Sequence, residues 1–113
     1  MNRLFIYSEL FERALKQRKK QDEILESIEG AILENPIVGA VIAGTGGVRK
    51  FRSEDSERSK GKRGGFRVLY LDLPRKETTH LLFLYNKNEA DNISAAGKKL
   101  IKSIVEDIKG EKS

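Results

Sequence analysis

The residues best suited to chemistry are cations set behind glycines. Gly44-Thr45-Gly46-Gly47-Val48-Arg49-Lys50-Phe51-Arg52 is one such phrase. Gly64-Gly65-Phe66-Arg67-Val68-Leu69-Tyr70, twelve residues further on, is the other. Each is a glycine turn feeding a short apolar strand that carries cations, and a polar basic loop with Lys60, Lys62 and Arg63 runs between them. Glycine lets a backbone approach a ligand closely, and cations flanking two strands make a pocket for phosphate. The layout suits a small protein that grips a nucleic-acid backbone.

The distribution of charge supports this. The chain carries a formal +5, yet residues 49–76 hold ten cations against four anions, a local +6 that leaves the remainder at −1. Lysine added for solubility would be spread more evenly, so local concentration favours a polyanionic partner. Other chemistries are poorly served. There is no cysteine and only one histidine, so thiolate catalysis, disulfides and a zinc site are excluded, and the acids lack the spacing of a calcium loop. The Gly44–Gly47 run lacks a following Gly-Lys-Ser/Thr and leads into a strand, so it reads as a tight turn and not as a P-loop. His80, mid-strand in Thr78-Thr79-His80-Leu81, reads as a structural or edge histidine. No apolar run reaches membrane-spanning length, and the first residues lack a signal-peptide pattern, so a cytosolic location is expected.

The elements that must position these cations follow from pattern. At 113 residues one domain over 1–113 is expected. Arg3 to Tyr7 is β-prone. Ser8 caps a first helix with Glu9 and Glu12 in its first turn, where the helix dipole favours anions. Asp22 caps a second, whose Ile24, Leu25, Ile28, Ala31 and Ile32 recur at helical spacing, and Asn35-Pro36 ends it. An apolar connection over 37–47 is pinned by Val41 and Ile42. Strands follow at about 47–52, 65–73 and 78–87, the last two joined through Pro74 as an antiparallel hairpin, and the loop 53–64 reads as mobile. Ile93, Gly97, Leu100, Ile101, Ile104, Val105 and Ile108 trace a final amphipathic helix that Gly110 closes. The fold class is therefore α+β in the order βααβββα, a four-stranded, largely antiparallel sheet with helices packed on one face.

Strand phase turns this order into a surface. Lys50 and Arg52 share a side with Val48, while Phe51 points the other way. Arg67 points opposite to Phe66 and Val68, in a strand otherwise apolar on both faces. A guanidinium there carries a desolvation cost and calls for a carboxylate or a ligand phosphate. Tyr85 and Lys87 share a face beside Asn86, Asn88 and Glu89.

At these residues the chain resembles the RelE/ParE superfamily of bacterial type II toxins, and within it the HigB-like branch. The matching phrases are Asn35-Pro36 leading to Gly44-Thr45-Gly46-Gly47-Val48-Arg49-Lys50, then Gly61-Lys62-Arg63-Gly64-Gly65-Phe66-Arg67, then Tyr85-Asn86-Lys87-Asn88-Glu89. They span about residues 35–90, and the flanking helices match in order and length. The resemblance implies a microbial-ribonuclease-like sheet and a metal-independent endoribonuclease, with no metal or organic cofactor. It implies cleavage of translated messenger RNA in the A site of the 70S ribosome, and so inhibition of translation. It also implies a cognate antitoxin with a helix-turn-helix domain, through which alone operator DNA would be reached.

Such enzymes use the ribose 2′-hydroxyl as nucleophile, so the protein must supply charge stabilisation and proton transfer. On the resemblance, Arg67 is the sheet arginine that holds the scissile phosphate. Lys50 or Arg49 contributes further charge together with Lys60, Lys62 and Arg63, and Arg52 adds to the RNA-binding surface. Tyr85 or Lys87 moves protons. The chain departs from the family in ending on a lysine-rich helix and in placing Lys87-Asn88-Glu89 where an arginine follows the last strand. Two other readings fit the same charge pattern: a DNA gyrase poison of the ParE kind, and a non-catalytic RNA- or ribosome-binding module.

Overall fold

In a computed structural model of the chain, the described residues are 3–53, 65–86 and 93–110. The elements are β1 (Leu4–Tyr7), α1 (Glu9–Lys16), α2 (Gln21–Glu34), β2 (Ala40–Val41), β3 (Arg49–Ser53), β4 (Phe66–Leu73), a 3₁₀ turn (Pro74–Lys76), β5 (Thr78–Asn86) and α3 (Ala95–Lys109). They build one five-stranded sheet in the order β1-β5-β4-β3-β2. β1 runs parallel to β5 and the other neighbours are antiparallel. The order βααβββα therefore gains a strand. The addition is β2, two residues within the apolar connection, paired with Lys50 and Arg49.

Local chemistry sets the helix boundaries. The Ser8 hydroxyl accepts the Phe11 N–H at 3.0 Å, satisfying a donor that the first turn of α1 cannot. α2 begins at Gln21, without the Asp22 cap expected from sequence: its N-cap is Lys20 in the left-handed region at φ 56°. The junction is closed instead by the Gln21 side-chain amide, which donates to the carbonyls of Lys16 and Arg18 at 3.2 Å each. Asn35 ends α2 in extended geometry, as Pro36 requires. α3 starts under a Ser94 cap and ends on Gly110 at φ 72°, the left-handed C-terminus that glycine adopts most easily.

The helices cover both faces of the sheet, not one. On the first face Phe11 of α1 and Ile28 and Ile32 of α2 pack on Phe66, Val68 and Tyr70. On the other, Ile101 and Val105 of α3 pack on Val48, Leu69 and Leu71. β4 lies at the centre of the strand order and is buried along Phe66–Leu71. A strand apolar on both sides must be covered on both sides, which is why α3 takes the face left open in the sequence reading.

The connection into β3 is held by polar contacts. The Tyr70 hydroxyl donates to the Pro36 carbonyl at 2.8 Å and accepts the Gly39 N–H at 3.1 Å. Gly39 has no room for a side chain, since a Cβ there would sit 2.8 Å from the Lys50 carbonyl oxygen. Ile42 is the anchor, packed beside the α3 cluster, whereas Val41 is 55% exposed. Thr45 is fully buried and closes the following turn, donating to the Ile42 carbonyl at 2.7 Å and accepting the Val48 N–H at 3.1 Å.

One contact on the first face predicts an alkaline limit to stability. Tyr7 stacks on Phe11 with centroids 5.8 Å apart and donates its hydroxyl hydrogen bond to Glu29. Burial, then that bond and the Glu29 charge, pushes the phenol from 10.0 up to about 12. The folded state thus holds the proton more tightly than the unfolded chain. Its contribution is fully present below pH 10 and is lost as pH rises from 10 towards 12. Denaturant titrations of Tyr7→Phe should show a flatter stability profile across that window than the wild type, and equal slopes would refute the assignment.

Candidate functional site

Strand register brings three of the sequence-predicted residues onto one rung. Arg52 of β3 pairs with Arg67 of β4, and Arg67 pairs with Tyr85 of β5. Neighbouring strands lie about 4.8 Å apart, so all three side chains leave the sheet within roughly 10 Å of one another. They share the α3 side with Leu69 and Phe83, which form the next rung with Lys50. Lys50 thus joins the cluster one rung in.

The environment of the rung is graded. Arg67 is only 9% exposed, Tyr85 is half-buried and Arg52 is open to solvent. Placing two guanidiniums opposite each other on adjacent strands is unfavourable, and burying one adds a desolvation cost. The acid nearest along β4 on the other face, Asp72, pairs with Arg3. Tyr85 also lines a groove of ≈ 360 Å³ between the sheet and the start of α3, with Leu69, Phe83, Gly97 and Leu100. A planar fork at Arg67, a second at Arg52 and a phenol beside them can clamp a tetrahedral anion and present a hydroxyl to it.

These features sit on a known scaffold. The E. coli toxin RelE, solved free as a double arginine-to-alanine mutant, superposes with a TM-score of 0.58 at 15% identity, over 80% of this chain and 90% of that one. RelE in the intact E. coli RelBE toxin–antitoxin complex gives 0.56 at 15% identity, over 74% and 95%. An archaeal RelE–RelB complex from Pyrococcus horikoshii gives 0.54 at 18%, over 80% and 100%. The chain has the RelE fold. No protein-family model matches it.

Within this RelE-like sheet the remaining candidates separate. Arg49 does not reach the rung. It lies one residue out of phase with Lys50, and its guanidinium donates to the Gly39 carbonyl at 2.6 Å, so it braces the β2 connection. The Gly44–Gly47 turn is also remote from the rung, at the other end of β3. It packs under α3: Lys109 donates to the Gly46 carbonyl at 3.1 Å, and a Cβ on Gly46 would meet Val105 at 3.1 Å. Its glycines serve turn geometry and close packing, not ligand approach. Lys60, Lys62, Arg63 and Lys87 lie outside the described residues, as does the loop 53–64 apart from Ser53.

His80 pairs with Leu71, four residues along β4 from Arg67, or about 13 Å at strand rise. Burial, then the charge of Lys76, lowers its pKa, which favours the neutral ring. Among the described residues no group of three or more His, Asp or Glu could hold a metal ion, and no helix is long and apolar enough to cross a membrane. Sequence reasoning missed the groove beside Tyr85, and the Ser94 cap that fixes its rim through the Gly97 N–H at 3.0 Å. A serine three residues before a glycine was the only available signal.

Proposed function

We propose that this chain is the toxin of a type II toxin–antitoxin pair and a metal-independent endoribonuclease that cuts translated messenger RNA in the ribosomal A site. The observation that carries the reading is the Arg52–Arg67–Tyr85 rung. It places two arginines on neighbouring strands, one of them nearly buried, with a tyrosine on the third strand, a set of donors suited to holding a phosphate. The RelE fold supports the same reading by analogy. Two of the similar structures are complexes of a toxin with its antitoxin, and a cognate antitoxin, with a helix-turn-helix domain that contacts operator DNA, is proposed here on that basis. The site of action would be the cytoplasm, where ribosomes translate.

Arg67 holds the scissile phosphate through its planar fork, with Arg52 and Lys50 adding charge as the phosphorane forms. The ribose 2′-oxygen attacks phosphorus, its proton passes to a base, and the bond from phosphorus to the 5′-oxygen breaks. The products are a 2′,3′-cyclic phosphate and a 5′-hydroxyl, which takes up a proton. Tyr85 is the proton-transfer group on the rung, and such a group supplies about 10²–10⁴ in rate. Lys60, Lys62 and Arg63, from the segment joining β3 to β4, and Lys87, two residues beyond Tyr85, are assigned to RNA contact or proton transfer from their sequence positions.

Induction of the chain without antitoxin should stop growth, and mapping of message 5′ ends should reveal cuts inside reading frames. Purified protein added to translating ribosomes should reproduce them. Intact messages in both experiments would overturn the reading, and DNA damage in their place would indicate a gyrase poison.

A further inference from the structure

Tyr85 reaches the Arg67 rung only because β5 contains a β-bulge. Leu71 pairs with His80 and Tyr70 with Leu81, but Leu69 pairs with Phe83, so Leu82 is an extra residue in the ladder. Side chains alternate along a strand, and a one-residue slip exchanges the faces. Counting from His80 without the bulge, Leu82 and Leu84 would follow on the α3 side and Tyr85 would turn towards α1 and α2. With it, Phe83 and Tyr85 join the α3 side, while Leu84 packs with Phe11 and Val68.

A bulge leaves a residue out of the ladder, and here Ser8 attends to it. The Ser8 N–H donates to the Leu81 carbonyl at 3.0 Å, and its hydroxyl donates to the Leu82 carbonyl at 2.5 Å. Consecutive carbonyls of a regular strand point to opposite neighbours, so two in a row aimed at one residue mark the place where the ladder is broken. The same hydroxyl oxygen accepts the Phe11 N–H, and the Ser8 carbonyl accepts the Glu12 N–H at 3.0 Å. One serine thereby starts α1 and holds the turned-out carbonyl of a residue that is 2% exposed.

We propose that Ser8 is a positioning residue for the reaction: by clasping the bulge at Leu82 it fixes the register that presents Tyr85 to the phosphate held by Arg67. This rests on the function proposed above and adds to it a residue on the opposite side of β5 from the rung. The capping and clasping roles separate chemically. Threonine caps and donates. Aspartate caps but has no proton to give the Leu82 carbonyl. Glycine retains most of the capping energy and also lacks the donor.

The test compares Ser8→Thr, Ser8→Asp, Ser8→Gly and Arg67→Met on translating ribosomes at saturating toxin, with backbone NOEs across the Arg67–Tyr85 pair as a structural readout. Ser8→Gly is included because a carboxylate facing the Leu82 carbonyl can prevent folding. Ser8→Asp and Ser8→Gly should cut roughly 10²-fold more slowly, the loss typical of a displaced catalytic group, and should lose the NOEs. Ser8→Thr should restore both. Wild-type cutting by Ser8→Gly, or slowed cutting with the NOEs intact, would overturn the positioning role while Arg67→Met remains inactive and the proposed function stands. Wild-type cutting by Arg67→Met would overturn the function itself.

Discussion

Replacing Arg67 with methionine is expected to slow message cleavage by about 10²–10³-fold, the loss seen when one preorganised donor to a developing oxyanion is removed. The same substitution should change the melting temperature far less than it changes cleavage. Both halves follow from where the residue sits. Methionine keeps the unbranched stem and fills the space, while the charge of a residue only 9% exposed, opposite Arg52, disappears. Cross-strand like charges cost about 0.2–1 kcal/mol, and burial of a cation costs more. A residue that serves the reaction at that cost trades stability for activity. Arg67→Lys should fall between the two, because it keeps the charge and loses the bidentate fork. Cleavage assays with thermal melts on the same preparations decide the matter. A fall in melting temperature that parallels the loss of cutting would make Arg67 a structural residue.

The site was legible in the sequence where the two-residue phase of a strand could be counted. Counting alternate positions through Val48-Arg49-Lys50-Phe51-Arg52 assigns Lys50 and Arg52 to one face and Phe51 to the other. Arg67 stood out because the residues around it, Phe66 and Val68 to Leu71, are apolar. The same apolar run held the signal for a helix on each face, since one covered face does not need Phe66, Val68, Leu69, Tyr70 and Leu71 together. The bulge was not legible. It falls in Leu81-Leu82-Phe83-Leu84, where both phases are apolar and alternation carries no information about an inserted residue. Nor was the start of α2: Lys20 takes a left-handed conformation that its residue type does not favour, and the junction is closed by a side-chain amide from Gln21. Arg49 shows the limit of composition. It adds to the basic count yet spends its guanidinium on the Gly39 carbonyl.

The largest effect on stability is expected at the far end of β4 from the rung, at Asp72. Its carboxylate pairs with Arg3 and accepts the Thr79 hydroxyl at 2.8 Å, with the two charged side chains only 9% and 5% exposed. Arg3 immediately precedes β1, which forms one edge of the sheet and pairs only with β5, so the ion pair ties the first strand across β5 to β4. Asp72→Ala leaves the Arg3 guanidinium desolvated beside a lost partner. Breaking a buried pair from one side costs about 3–5 kcal/mol, a large share of the roughly 5–15 kcal/mol that holds a domain together. At about 4–8 °C per kcal/mol for a chain near this size, the melting temperature should drop by well over ten degrees. The double variant Arg3→Met with Asp72→Leu removes both charges and should recover most of that loss, because two apolar side chains need no compensation for desolvation. A thermodynamic cycle over the two single variants and the double one measures the coupling. If the double variant were as unstable as the sum of the singles, the pair would contribute through packing alone, and the ionic link from β1 to β4 would have to be abandoned.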